Sequence, residues 1–322
     1  MTDYIVRRIL LLIPTVVVGS MLLFVALTVL PPMDAIELRL GDEALARDPQ
    51  LADVQRHALG ISGPLHEQYL RWASGFLTGD WGHSLISRQP ISDELLHRIP
   101  VSVELSLFAL AATWLISFPL GVLAAVAQDR FPDYFLRTAA YALDALPSFV
   151  IGILLLTYLA VFYHWAPPVS FTYFFDDPST HIQIMLLPAF VVGLNASGNL
   201  IRYVRTFLLE VLRQDYIRTA RSKGLPRRTV VLRHAMRNIA LPLVTIVGIQ
   251  IPTLLTSSAI IENLFSLPGM GRYLVQAART LDYPVVMTTT MFFGIIVLVT
   301  QLIVDISYAW LDPRVSYARE RQ

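Results

Sequence analysis

The sequence predicts an all-α polytopic membrane protein with six transmembrane helices. Three observations carry that expectation. Hydrophobic residues fill 55% of the 322 positions and charged residues only 15%, against roughly 25% charged in an average soluble domain. A soluble chain of this length would form about two domains, and these charges are too few to give each a polar skin. The apolar residues also fall into blocks long enough to cross a hydrocarbon core of about 30 Å at about 1.5 Å per helical residue. Finally, the chain has no cysteine, which excludes a disulfide framework and a thiolate metal site. The net charge of +1 gives no sign of a nucleic-acid partner, and the high apolar content excludes disorder.

The first block covers residues 9–30, between Arg7-Arg8 and Pro31-Pro32. Its basic flank is that of a signal peptide, but the apolar run is too long and ends without a small-x-small cleavage site. It is read as a retained helix. The second block is 103–127 and the third 136–163. The fourth starts near 184 and fades into Arg202 and Arg205. The fifth is 239–261 and the sixth 285–310. Within the third, Pro147 removes a backbone hydrogen bond and is expected to kink the helix. Asp144, one turn earlier, either bonds the freed backbone or lies near the water boundary.

With the N-terminus inside, the inner segments hold about 17 of the 25 Lys and Arg, about ten of them between Arg202 and Arg237. The positive-inside rule then sets both termini in the cytoplasm. The chain divides into an N-terminus with the first helix (1–30), an outer segment (31–100), and a core (101–322) with five further helices and a basic inner loop at 209–238. Amphipathic stretches at 51–57 and 68–76 make the outer segment a small, mainly helical cap. Its acidic residues Asp34, Glu37, Asp42, Glu43 and Asp48 either dock a partner or form a solvated face.

The inner loop reads QDYIRTARSKGLPRRTVVLRHAMRN from Gln214. Asp215 is placed to cap a helix, and Tyr216, Ile217 and Ala220 fall on one face at helical spacing. Gly224 and then Pro226 end that helix. A second amphipathic stretch carries Val230, Val231, Ala235 and Met236. Such a pair lies under the membrane. It binds anionic headgroups through its arginines, or it is a rigid knob for a cytoplasmic partner.

Asp215-Tyr216-Ile217-Arg218-Thr219-Ala220-Arg221-Ser222-Lys223-Gly224-Leu225, with His234-Ala235-Met236-Arg237-Asn238 and Leu241-Pro242, resembles the EAA-type loop of ABC-importer permeases. The similarity is to the dipeptide and oligopeptide branch (peptide, nickel and opine), first-permease type, and it runs over nearly the whole chain. Leu59-Gly60, Pro64-Leu65, Gln68-Tyr69, Gly79-Asp80-Trp81-Gly82 and Arg98-Ile99-Pro100 look like family signatures. So do Leu146-Pro147-Ser148-Phe149, the stretch from Glu262 to Arg272 (ENLFSLPGMGR), Asp282-Tyr283-Pro284 and Asp312-Pro313-Arg314. Two departures stand out. Pro31-Pro32-Met33-Asp34 replaces the usual Pro-Gly-Asp-Pro, and Asp215-Tyr216 replaces Glu in the EAA element.

The resemblance implies the type I ABC importer permease fold in a bacterial inner membrane. It implies a permease subunit, not an enzyme, that moves di- or oligopeptides or similar solutes. A second homologous permease, two ATPase subunits and an external binding protein would complete the complex. ATP and Mg would sit on the ATPases, with no cofactor on this chain. Asp215, Arg218, Thr219, Ala220, Arg221, Lys223 and Gly224 would form the ATPase-coupling helix. The same complex type also imports oligosaccharides and metal chelates, and an ion-coupled secondary transporter is the alternative of another class. Consistent with external energy, no G-x-x-x-x-G-K-[ST] loop occurs and Lys223 is the only lysine.

Polar stripes mark the membrane blocks. Gln250, Thr253 and Ser257 share a face, as do Asn195 and Asn199, and Gln301, Asp305 and Tyr308 form a third. In lipid each must face protein or water. Asn195, Asn199, Gln250, Thr253, Ser257 and Gln301 are therefore candidates for a hydrophilic translocation path or for interhelical bonding. Gly60-Ile61-Ser62-Gly63 has the form of an intramembrane protease motif but lies in the outer segment with no membrane-embedded histidine near. The seven histidines show no H-E-x-x-H spacing, and no metal site is expected.

Overall fold

A computed structural model describes residues 2–28, 63–168 and 170–311. The helices are α1 (Thr2–Thr28), α2 (Leu65–Thr78), α3 (Ile91–Val126), α4 (Phe131–Ala145), α5 (Ser148–Tyr163) and α6 (Pro178–Leu212). They continue with α7 (Asp215–Ser222), α8 (Arg227–Thr229), a π-helical stretch Val230–Ala235, α9 (Met236–Leu264), α10 (Met270–Arg279) and α11 (Tyr283–Leu311). The predicted stretch 51–57, the acidic residues from Asp34 to Asp48, Ser62 and the motif at 312–314 lie outside the described residues.

Five of these helices are long and apolar enough to cross a membrane. They match the first, second, fourth, fifth and sixth predicted blocks. The third does not form the single kinked helix expected over 136–163. It is two helices, α4 and α5, meeting at 101°, and counts as a sixth span only if the pair is taken together. The cause is local. Pro147 lacks an N–H and disfavours helical backbone at the residue before it, and Leu146 is extended at φ −88°, ψ 127°. The 16 residues of α5 reach only about 24 Å, short of the ~30 Å core.

The fourth span also departs from expectation. It continues through Arg202 and Arg205 to Leu212 without interruption. Both arginines have carboxylate partners on α4, so neither ends the helix. Its start is fixed by Asp177, whose carboxylate accepts from the Ser179 and Thr180 amides.

The chain divides into two compact units. One comprises residues 102–267 and 299–311 of those described, the other 2–28, 63–101 and 268–298.

In the first unit α6 is central. Its Leu200, Val204 and Leu208 meet Ile217 of α7, Val230, Val231 and Ala235 of the π stretch, and Ile239 and Leu243 of α9. Further along, Val191 and Val192 pack with Ala109, Ile151, Leu254 and Ile261. Close approach to α4 requires Gly198, because a Cβ there would lie 2.5 Å from the Ala140 carbonyl oxygen.

In the second unit, rings run from Phe24 to Tyr69 (5.6 Å between centroids), then Trp72, Phe76 and Trp81, ending on Phe292 at 4.5 Å. Ser20 and the Tyr69 hydroxyl are 2.9 Å apart, so α1 is held to α2. The Gly79-Asp80-Trp81-Gly82 motif is a turn with two left-handed glycines, at φ 86° and 75°. Trp81 donates back to the Phe76 carbonyl at 3.2 Å. Buried Asp282 accepts from the Ser84 hydroxyl at 2.5 Å and the Leu85 amide at 3.1 Å, which ties that turn to the loop between α10 and α11. Tyr273 on α10, with Arg98 4.5 Å over its ring, has its hydroxyl pushed up to about 12 by burial, with the Glu94 charge adding.

Candidate coupling segment and polar stripes

The basic loop places its residues on α7 and the turn that follows. Helix α7 starts at Asp215, so Gln214 occupies the cap position in extended conformation and its side chain makes no cap bond. The expected cap by Asp215 is therefore corrected. Its carboxylate instead faces Arg218 at 3.4 Å, and both side chains are largely exposed, so that pair contributes little to stability. Ile217 is fully buried and Ala220 nearly so. Tyr216, expected on the same face, is exposed, because its Cβ lies about 100° around the helix from Ile217.

Gly224 closes the helix. Its amide donates to the Arg221 carbonyl at 2.9 Å, and the Leu225 amide reaches the Ala220 carbonyl at 3.4 Å. This pair of bonds is the Schellman arrangement, and it needs a left-handed residue. Gly224 supplies φ +76° with nothing within 4 Å of a built Cβ. The glycine is thus required for backbone conformation, while space around it is free. Pro226 follows and α8 begins. The second amphipathic stretch is one helical turn and a π-helical segment that continue directly into α9, with Val230, Val231 and Ala235 buried as expected.

The outcome is a short helix anchored by two apolar side chains, with Arg218, Thr219, Arg221 and Lys223 exposed. Thr219 and Ser222 hydroxyls donate to carbonyls of their own helix, which leaves the cationic groups, with the Asp215 carboxylate and the Tyr216 ring, as its outward chemistry.

The asparagine stripe proves to hold the broken third span. Asn195 Nδ2 donates to the carbonyls of Leu143 and Leu146 at 2.9 and 2.7 Å, which are acceptors at the end of α4. Asn199 Nδ2 donates to Asp144, and Arg202 donates both to Asn199 Oδ1 and to Asp144 at 2.9 Å. The Arg202 guanidinium also lies 4.4 Å over the Tyr141 ring. Of the two roles foreseen for Asp144, the freed backbone goes to Asn195, while Asp144 takes the arginine.

Three of the other path candidates, Thr253, Ser257 and Gln301, are engaged within their own helices. Thr253 donates to Ile249 O at 3.0 Å and Ser257 to Leu254 O at 3.2 Å. Gln301 Nε2 stands 3.5 Å from Asp305, while the Tyr308 side chain lies outside the described residues. Gln250 Oε1 is buried without a partner. Among the described residues no hydrogen bond joins any two of Gln250, Thr253, Ser257 and Gln301.

Three polar clusters were not singled out from sequence. Asp133, fully buried, accepts from Arg205 Nε and Nη2 at 2.6 and 2.7 Å. His181 on α6, also buried, lies between Glu104 Oε1 at 2.8 Å and the Thr172 carbonyl at 2.7 Å. Glu262 is buried within the ENLFSLPGMGR motif and accepts from Ser258 at 3.0 Å. For the first, the signal was present. Arg202 and Arg205 within an apolar span require counter-charges, and Asp133 and Asp144 lie three helical turns apart on the preceding element. Among the described residues no group of three His, Asp or Glu is placed to hold a metal ion.

The family described as "Binding-protein-dependent transport system inner membrane component" matches residues 117–317, and its N-terminal counterpart matches residues 1–106. The chain is 33% identical over 317 residues to the glutathione transport system permease protein GsiC of Escherichia coli K12, covering 98% of this chain and 100% of the relative. The Salmonella paratyphi A counterpart is 34% identical over the same extent. A chain of the MetNI methionine ABC transporter, solved in inward-facing form, superposes with a TM-score of 0.52 at 16% identity. It covers 70% of this chain and 99% of its own length, and it shares the fold. The chain therefore belongs to the inner-membrane components of binding-protein-dependent transport systems: it is a multi-pass permease subunit of an ABC importer with the type I fold, not an enzyme, in a family that works with ATPase and substrate-binding partners.

Proposed function

We propose that this chain pairs with a second homologous permease above two ATPase subunits. The pair passes di- or oligopeptides, or similar solutes, received from an external binding protein. Helix α7 is its coupling helix. The observation that carries this reading is the construction of α7: Ile217 and Ala220 fix it to the core, Gly224 locks its end, and Arg218, Arg221 and Lys223 are exposed. Motion of an acidic groove on an ATPase is then transmitted to α6 and α9 through the shared apolar cluster rather than lost in a flexible loop. ATP and Mg belong to the ATPases. Both termini and α7 lie on the cytoplasmic side, in keeping with the concentration of Lys and Arg there.

A peptide cargo is favoured by the similarity over full length to a glutathione permease. Oligosaccharides and metal chelates remain the alternatives within this complex type, and family membership removes the ion-coupled alternative. Gln250, Thr253, Ser257 and Gln301 are assigned to the path. Asn195 and Asn199 serve it by holding the end of α4. The test is co-purification of the ATPase with this chain. Retention by wild type and loss on deleting residues 219–224 is the expected result. Retention by the deletion variant would refute the coupling assignment.

A further inference from the structure

Where α3 turns into α4, the first unit holds a pocket of about 290 Å³ lined by four arginines. That volume is far above the ~10–15 Å³ that one water needs. Arg130 comes from the cap position of α4, Arg213 from the end of α6, Arg221 from the last turn of α7 and Arg227 from α8. Val126 and Leu209 contribute to an apolar floor. Arg227 is held in place by donating to the Val126 carbonyl at 2.5 Å. Arg130, Arg213 and Arg221 have no carboxylate partner among the described residues. The adjacent carboxylate, Asp129, is outside the lining and accepts from Gln128 at 3.1 Å.

Four exposed like charges share one concavity; the helix-end carbonyls beside them, with Val126 O taken by Arg227, offset them only in part. Guanidinium forks pair bidentately with carboxylate and with phosphate oxygens, and of the two phosphate offers the more anionic oxygens to several arginines at once. We propose that this pocket binds a phosphate-bearing anion, supplied either as the phosphate of an anionic lipid headgroup or as a free phosphate. Bound there, the anion bridges Arg221 of α7 to Arg130 and Arg213. It thereby fixes the segment after α6 against the turn between α3 and α4. The site is defined by this chain's own geometry and does not depend on the coupling role of α7.

The transporter purified with its partner subunits provides the test. It is exchanged into phosphatidylcholine nanodiscs, and binding of phosphatidylglycerol is titrated by native mass spectrometry, with inorganic pyrophosphate as a soluble competitor. The R130Q/R213Q variant should bind phosphatidylglycerol at least about tenfold more weakly, since each lost charge-assisted contact is worth a factor of this order. R228Q/R233Q removes the same charge outside the pocket and should change binding less than about threefold. Retention of lipid against pyrophosphate identifies a headgroup ligand, and displacement identifies free phosphate; both sustain the proposal. Equal weakening by the two variants, or by neither, would overturn it by showing diffuse surface charge. So would wild-type transporter whose ATPase shields Arg130 and Arg213 from phenylglyoxal and excludes both anions, because the pocket would then be a protein contact. That labelling is read on wild type and holds even where a variant fails to assemble.

Discussion

Replacing Asp133 or Arg205 singly should do far more damage than replacing both. The Asp133 carboxylate is fully buried and takes two bonds from Arg205, at 2.6 and 2.7 Å, one from the Asp129 amide at 3.0 Å, and a longer approach from Arg137 at 3.4 Å. Asp133→Leu strands a guanidinium between helices, and Arg205→Met strands a buried carboxylate with the Asp129 amide and the more distant Arg137 beside it. Removing one partner of a buried pair costs about 3–5 kcal/mol. Because 15% of the Arg205 side chain stays exposed, Asp133→Leu belongs near the lower end, about 3 kcal/mol. Arg205→Met belongs nearer the upper end. The double variant replaces the pair with apolar groups of similar bulk and should lie within about 2 kcal/mol of wild type. The assay is unfolding of the purified chain in detergent, followed by loss of the monodisperse peak, run as a double-mutant cycle. Additive losses in the double variant would refute the claim that each group is there to neutralise the other.

Two further outcomes follow from the same geometry. Asn195→Ala leaves the Leu143 and Leu146 carbonyls without their amide donor, and it should cost about 1–3 kcal/mol in the same assay, while Asn195→Asp fails to rescue because it has no N–H to donate. At the start of α6, hydroxyl donation by Thr180, then the Thr180 and Ser179 groups together, holds the Asp177 carboxyl below its ordinary value. Its cap contribution is therefore complete above the unfolded carboxylate range and is lost as pH falls through the lower folded value. The stability difference between wild type and Asp177→Ala should shrink to nothing on acidification; a constant difference would show that the charge does not matter.

The spans were legible because apolar run length decides them, and the Gly224 turn because few residues other than glycine accept φ +76°. The break at Leu146-Pro147 was half legible. Proline announces a disturbed helix, but whether the chain bends slightly or turns by 101° depends on what accepts the freed groups, and that is Asn195, 49 residues further on. The asparagine stripe was for the same reason ambiguous between lining a path and bonding a neighbour. The π-helical stretch at Val230–Ala235 has no local signature, since its apolar residues suit an ordinary helix equally well. Helical spacing joins Ile217 to Ala220 but not to Tyr216, which is exposed, because adjacent residues cannot share one helix face.

The coupling role of α7 is tested most directly by ATP-driven uptake into vesicles holding the complete transporter with Gly224→Asp in this chain. At φ +76° a side chain costs about 1–2 kcal/mol in backbone strain, and the carboxylate stands beside Arg221 and Lys223, whose charge the ATPase would read. The chain should insert normally, because no atom lies within 4 Å of the new Cβ. Uptake should be abolished. Normal uptake by that variant would contradict the account.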